Sequence, residues 1–108
     1  MQKDLADKTK AWDTILGSLG NKGKDMRTWS KRDGDGNYFH AESSGKIIIF
    51  SQSKETPPCK IDFPRPITYE DFERVANMFN QYLTREVKRK DVKGWNTSYI
   101  ISLIARLL

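Results

Sequence analysis

Apolar residues in the first part of the chain recur at helical spacing. Leu5, Trp12, Ile15, Leu16 and Leu19 share one stripe, while Lys3, Asp7, Lys10 and Asp13 fall away from it. This predicts an amphipathic helix from residue 3 to about residue 19. The run GSLGNKG ends it, because three glycines in seven residues cost too much backbone entropy.

From Met26 to Phe63 the period changes to two. MRTWSKR, NYFHAE, KIIIFSQ and CKIDF read as four short strands of a meander. Ser44-Gly45 reads as a two-residue hairpin loop. That register sets Phe39 opposite Phe50 and Ala41 opposite Ile48 on one face, with His40, Ile49, Glu42 and Ile47 on the other. The run IIIF leaves no polar face, so its strand is expected to be central and covered by helices. SKETPP reads as a loop, since its prolines remove donors and fix the chain.

The segment RPITYEDFERVANMFNQYL returns to helical spacing. Phe72, Val75, Ala76, Phe79 and Leu83 form its apolar stripe, and Glu73, Asn77, Asn80 and Gln81 lie off it. Thr68 and Asp71 stand at the two positions of a capping box, so a helix over residues 69–86 is expected. A last helix follows in WNTSYIISLIARLL, capped by Asn96 or Thr97. Its stripe is Tyr99, Ile100, Leu103, Ile104 and Leu107, widened by Ile101, Ala105 and Leu108 until little polar surface remains. Such a helix is enclosed by its own domain or covered by a partner. These elements make one α+β domain over residues 1–108: an N-terminal helix, an antiparallel meander of three or four strands, and two C-terminal helices packed on one face.

Composition narrows the function classes. A chain of 108 residues with 37% apolar and 31% charged positions is an ordinary globular sequence. MQKDLADKTKAW has no apolar run, which argues against a signal peptide, and YIISLIARLL is too short to span a bilayer, so no membrane partner is expected. The single cysteine, Cys59, excludes an internal disulfide and a multi-cysteine zinc site, and points to a reducing, cytoplasmic location.

Candidate catalytic and metal motifs fail on their own requirements. KRDGDGNYFHAE alternates Asp33, Asp35 and Asn37 with glycines, as a calcium loop begins. Counting from Asp33, however, a calcium loop needs glycine at the sixth position and glutamate at the twelfth, where this chain has Tyr38 and Ser44. The stretch is therefore expected to be a turn between two strands. Asp71 with Glu86-Val87-Lys88 has the residue types of a nuclease metal site, but along one helix the two acids would lie roughly 22 Å apart. His40 is the one histidine, with Ile49 opposite and Ser51 or Glu42 as diagonal neighbours in the expected register. No glycine-rich phosphate loop follows a strand. No enzyme, cofactor or metal is expected. A ligand pocket lined by Trp29, Phe39 and Tyr82 is a third reading that spacing does not decide.

The net charge of +5 is spread thinly, with one concentration. Residues 85–94, REVKRKDVKG, hold five bases against two acids and end beside Trp95. Arg85, Lys88, Arg89, Lys90 and Lys93 with Trp95 combine phosphate-binding charge with a stacking ring, and the start of the last helix would add backbone donors. Lys31, Arg32, Lys46 and Arg65 extend this surface if the fold brings the hairpin alongside. The leading expectation is a non-catalytic protein that binds nucleic acid or another polyanion. The alternative is a protein-interaction or homodimer module using Tyr99, Ile101, Leu107 and Leu108 of the last helix.

Overall fold

A computed structural model describes residues 5–30, 34–50, 54–61, 63–84 and 96–108. In chain order the elements are α1 (Lys8–Leu19), β1 (Lys24–Ser30), β2 (Gly34–Ser43), β3 (Ile47–Phe50), β4 (Arg65–Ile67), α2 (Tyr69–Ala76), α3 (Phe79–Leu83) and α4 (Thr97–Leu107). The sheet is antiparallel throughout and its strand order is β1-β2-β3-β4. This is the expected α+β class, with a helix before the sheet and helices after it.

Local chemistry sets most element ends. Asp7 caps α1, its Oδ1 accepting the Lys10 N–H at 3.0 Å, so the helix begins later than the apolar stripe suggests and Leu5 is buried ahead of it. At α2 the capping box forms in full. Thr68 Oγ1 accepts from the Asp71 N–H at 3.2 Å, and Asp71 Oδ2 accepts from the Thr68 N–H at 3.3 Å.

The expected long helix over 69–86 is broken. Asn77 and Met78 form a tight turn in which the Met78 N–H bonds Val75 three residues back at 3.0 Å, and α3 starts anew at Phe79. The turn resets the helical phase. As a result Tyr82, not Leu83, joins Phe79 in the core, and three helices rather than two follow the sheet.

The β2–β3 hairpin differs from expectation by one residue. Its loop is Ser44–Lys46, so Ala41 pairs with Ile49 and Ser43 with Ile47, while His40 pairs with Phe50 and Glu42 with Ile48. Because side chains alternate faces, this slip sends Ile47 and Ile49 inward and leaves Ile48 and Phe50 half-exposed. The small residues Ala41 and Ser43 explain the preference. They leave room for α1, to which Ser43 Oγ donates at the Leu16 carbonyl, 2.8 Å away.

The fourth strand is also relocated, from CKIDF to Arg65–Ile67. Pro57 and Cys59 instead hold the free side of β2, where the Tyr38 N–H bonds the Pro57 carbonyl at 2.8 Å and the Cys59 N–H bonds the Tyr38 carbonyl at 2.7 Å. Gly34 to Asn37, expected to form the turn, belong to β2 itself. Here Arg27 pairs with Tyr38 and Trp29 with Asp35, so β2 carries a bulge opposite Thr28. Gly36 is needed there, since a Cβ would lie 2.2 Å from Thr28 Oγ1.

One apolar cluster gathers α1, α2, α3 and α4 against the inward side of the sheet. Trp12 packs on Phe72 with centroids 5.3 Å apart, tying α1 to α2. α4 crosses the strands. Near its start Asn96 Nδ2 donates to the Pro66 carbonyl of β4, and near its end Ser102 and Arg106 bond the backbone of β1. Eleven helical residues span about 16 Å, close to the roughly 14 Å width of four strands.

Candidate functional site

Of the expected polyanion-binding residues, Arg85, Lys88, Arg89, Lys90, Lys93 and Trp95 lie outside the described residues, as do Lys31 and Arg32. Lys46 is described and stands exposed at the tip of the β2–β3 loop. Ser30 and Gly34, to which residues 31–33 are joined, pair at the far end of β2. With ten residues in β2, that junction is about 30 Å from Lys46.

The cations divide by type. Among the described residues every arginine is engaged within the chain. Arg27 Nε donates to the Gly36 carbonyl at 2.8 Å, its guanidinium stacks 5.2 Å from the Tyr38 ring centroid, and its Nη1 lies 4.0 Å from Asp35 Oδ2. Arg65 lies 5.8 Å from the Tyr99 ring centroid and donates to Asn96 Oδ1 at 3.4 Å. Arg74 donates to Asp71 Oδ1 at 3.1 Å. Arg106 binds Asp35 and two carbonyls of β1. By contrast, no lysine side chain among the described residues takes part in an ion pair. Lys10, Lys22, Lys24, Lys46, Lys54 and Lys60 are all exposed.

Two acids weighed as metal ligands are committed within the chain. Asp35, one of the calcium candidates, faces two guanidinium groups instead of a cation cavity. The hydrogen bond from Arg106 holds its carboxyl below the usual carboxylate value, with the Arg106 and Arg27 charges adding to the effect. Asp71, the nuclease candidate, is used by the capping box. Burial works against its charge, but bonds from Thr68 and Arg74 outweigh that and lower its pKa. Glu86 lies outside the described residues.

His40 sits on the outward side of the sheet between two acids. Its Nδ1 is 2.8 Å from Asp25 Oδ1, across the β1–β2 pair, and its Nε2 is 3.5 Å from Glu42 Oε2. Asp25 was not among the expected neighbours; it emerges only from the β1–β2 register. Phe50, not Ile49, stands opposite on β3, and Ser51 lies outside the described residues. Asp25 Oδ2 also accepts the Lys54 N–H at 3.1 Å, which ties the loop after β3 to β1. Gly23 closes over the ring with φ +72; a Cβ there would lie 2.7 Å from Nε2 and 2.4 Å from the Ala41 carbonyl. The two carboxylates address opposite sides of the imidazole, so they orient the ring and do not converge on one metal. Among the described residues, no group of three or more His, Cys, Asp and Glu side chains is placed to hold a metal ion.

Other expected positions fall into the core. Phe39 is 0% exposed and Tyr82 8%, and half-buried Trp29 packs against the same core. Ile101, expected at an interface, is 1% exposed and faces the domain interior. Tyr99, Leu107 and Leu108 are half-buried against the same core, Tyr99 meeting Phe39 edge-on at 5.2 Å. Tyr99 also shares a hydrogen bond with the Cys59 thiol; burial pushes both groups up from their ordinary values. The broad apolar circumference of α4 is thus largely enclosed by its own chain. No helix among the described residues is long and apolar enough to cross a membrane.

Sequence reasoning overlooked Ser102 and Arg106. Ser102 is 0% exposed; its hydroxyl donates to the Ser98 carbonyl and accepts the Trp29 N–H, each at 2.8 Å. Arg106 Nε donates to the Arg27 carbonyl at 2.8 Å. Their signal in the sequence is a polar pair four residues apart on an apolar helix. Searches of protein-family models, curated proteins and solved structures found no match to this chain.

Proposed function

We propose that this chain is a non-catalytic, cytoplasmic binding protein whose partner is nucleic acid or another polyanion. Arg85, Lys88, Arg89, Lys90, Lys93 and Trp95 form the main contact. The observation that carries this reading is the division among the cations. Where side chains are described, the arginines are spent on internal acids, carbonyls and rings, while every lysine but the half-buried Lys8 stays exposed. The acids Asp25, Asp35 and Asp71 are likewise engaged inside the fold. The excess of +5 is therefore left to lysines and to the basic stretch 85–94. Arg65 donates to Asn96, the first described residue after that stretch, at 3.4 Å.

The test is binding of a fluorescent single-stranded RNA and a mixed-sequence DNA duplex over about 50 to 200 mM salt, where phosphate-driven affinity falls steeply. Replacing Lys88, Arg89 and Lys90 with glutamine should weaken binding and flatten its salt dependence by roughly one unit of slope per lost phosphate contact. Absent or salt-independent binding at the low-salt end overturns the reading.

A further inference from the structure

Among the described residues Phe63 is the one large apolar side chain that stands in solvent, 79% exposed. Ile61 before it is 7% exposed and Ile67 after it 0%, so the chain turns outward between two anchored positions and presents the ring there. The stretch that carries it is stiff. Pro64 biases the Phe63 backbone toward an extended conformation, and Pro66 fixes β4 beyond. β4 is itself fastened to β3, with Arg65 opposite Ile49. Arg65, two residues from Phe63, differs from the other described arginines. Arg27 and Arg106 each meet the Asp35 carboxylate, and Arg74 meets that of Asp71. Arg65 is held instead by the Tyr99 ring, 5.8 Å away, and by the neutral Asn96 amide at 3.4 Å. No acid among the described residues pairs with it. Its charge is thus positioned without being cancelled. Two residues of extended chain span at most about 7 Å, so ring and cation are presented within reach of one nucleotide.

We propose, resting on the polyanion reading above, that Phe63 and Arg65 form a stacking contact for single-stranded nucleic acid. The ring takes an unpaired base and the guanidinium a phosphate. A cation alone would accept any polyanion. The exposed ring beside it favours one with flat apolar faces, and in a duplex those faces are stacked away inside the helix. Phenylalanine carries no side-chain donor or acceptor, so it reads no base edge and the contact tolerates any sequence.

The experiment measures fluorescence anisotropy of a labelled mixed-sequence DNA strand, alone and annealed to its complement, over about 50 to 200 mM salt. The proteins are wild type, Phe63→Ala, Phe63→Trp and Arg65→Gln. Phe63→Ala should weaken single-strand binding about five- to a hundredfold, the scale of one lost base–aromatic stack, with its salt slope unchanged. Phe63→Trp keeps a stacking face and should retain wild-type affinity. Duplex binding should be the same for wild type and both Phe63 variants. Arg65→Gln should lower the single-strand salt slope by about one unit. Phe63 lies outside the core, so its variants should melt with wild type. If wild type binds neither DNA, the polyanion reading falls and this one with it. If wild type binds the single strand and Phe63→Ala binds it equally well, or loses duplex affinity in step, the polyanion reading survives and the stacking contact is overturned. A concentration-dependent mass in sedimentation that Phe63→Ala abolishes, with DNA binding intact, would make the ring a protein contact and overturn it too.

Discussion

At one edge of the sheet, seven-residue β1 relies on Ser102 and Arg106 to occupy its outward amide and carbonyl groups. At the other, β4 is three residues long, carries Pro66 at its centre, and makes only long contacts with Asn96 at 3.4 Å. The long edge is closed by residues more than seventy positions away in sequence, and the short one mainly by its own composition. Mutations should therefore act at β1 through α4, whereas β4 should be insensitive to the side chains beside it.

The largest effect is expected at Ser102. Ser102→Ala leaves the part-buried Trp29 N–H without its acceptor, at a cost of about 1–3 kcal/mol in chemical denaturation. A loss below about 0.5 kcal/mol, the scale of an ordinary surface change, would show that the hydroxyl does not secure this edge. The two arginines come next. Arg106→Ala should cost about 1 kcal/mol, because it removes a short bond to the Arg27 carbonyl as well as an ion pair. Arg65→Ala should cost about half that, since its bond to Asn96 is long and its partner neutral. Equal losses would erase the distinction between the edges.

Asn96 sharpens the comparison from the β4 side. Its φ of 66° lies in the left-handed region, and its side chain makes two bonds of 3.4 Å. If backbone conformation dominates, Asn96→Gly should keep the melting temperature, while Asn96→Ala should cost about 1 kcal/mol. A glycine variant as unstable as the alanine variant would mean that the long bonds matter after all.

The smallest expected effect is the share of the pH dependence that Asp35 contributes beside β1. The folded Asp35 carboxyl titrates below its unfolded value, chiefly because of the Arg106 hydrogen bond. Its contribution is present above the unfolded carboxylate value, near pH 4, and is lost as pH falls through the lower folded value. Asp35→Asn should therefore flatten the acid limb of the stability profile. Arg65→Ala should leave that limb unchanged, because Asn96 does not titrate.

Legibility in the sequence followed the range of the interactions. Thr68 and Asp71 act within one helical turn, so their box could be read from spacing alone. The break at Asn77–Met78 could not, since neither residue is a glycine or proline and the reward for breaking is burial of Tyr82 by distant elements. The β2–β3 register missed by one because both hairpins suit IIIF equally; contact of Ser43 with α1 tips the choice. His40 was noticed as a lone histidine, but its partner Asp25 depends on the pairing of β1 with β2. Asp35 looked like a cation ligand because its guanidinium partners come from other elements.

The amino-acid sequence by itself determined the α+β class, the first helix stripe, the Thr68 cap, the meander order and the basic concentration at residues 85–94, because each depends on periodicity, local bonding or a count of charges. Only the tertiary structure decided which strand forms the fourth rung, that Ile101 lies inside, and that Ser102 and Arg106 serve the edge of β1. The physical reason is that a strand's outward groups and a helix's few polar residues are each unremarkable alone. Their complementarity exists only once α4 is laid across the sheet.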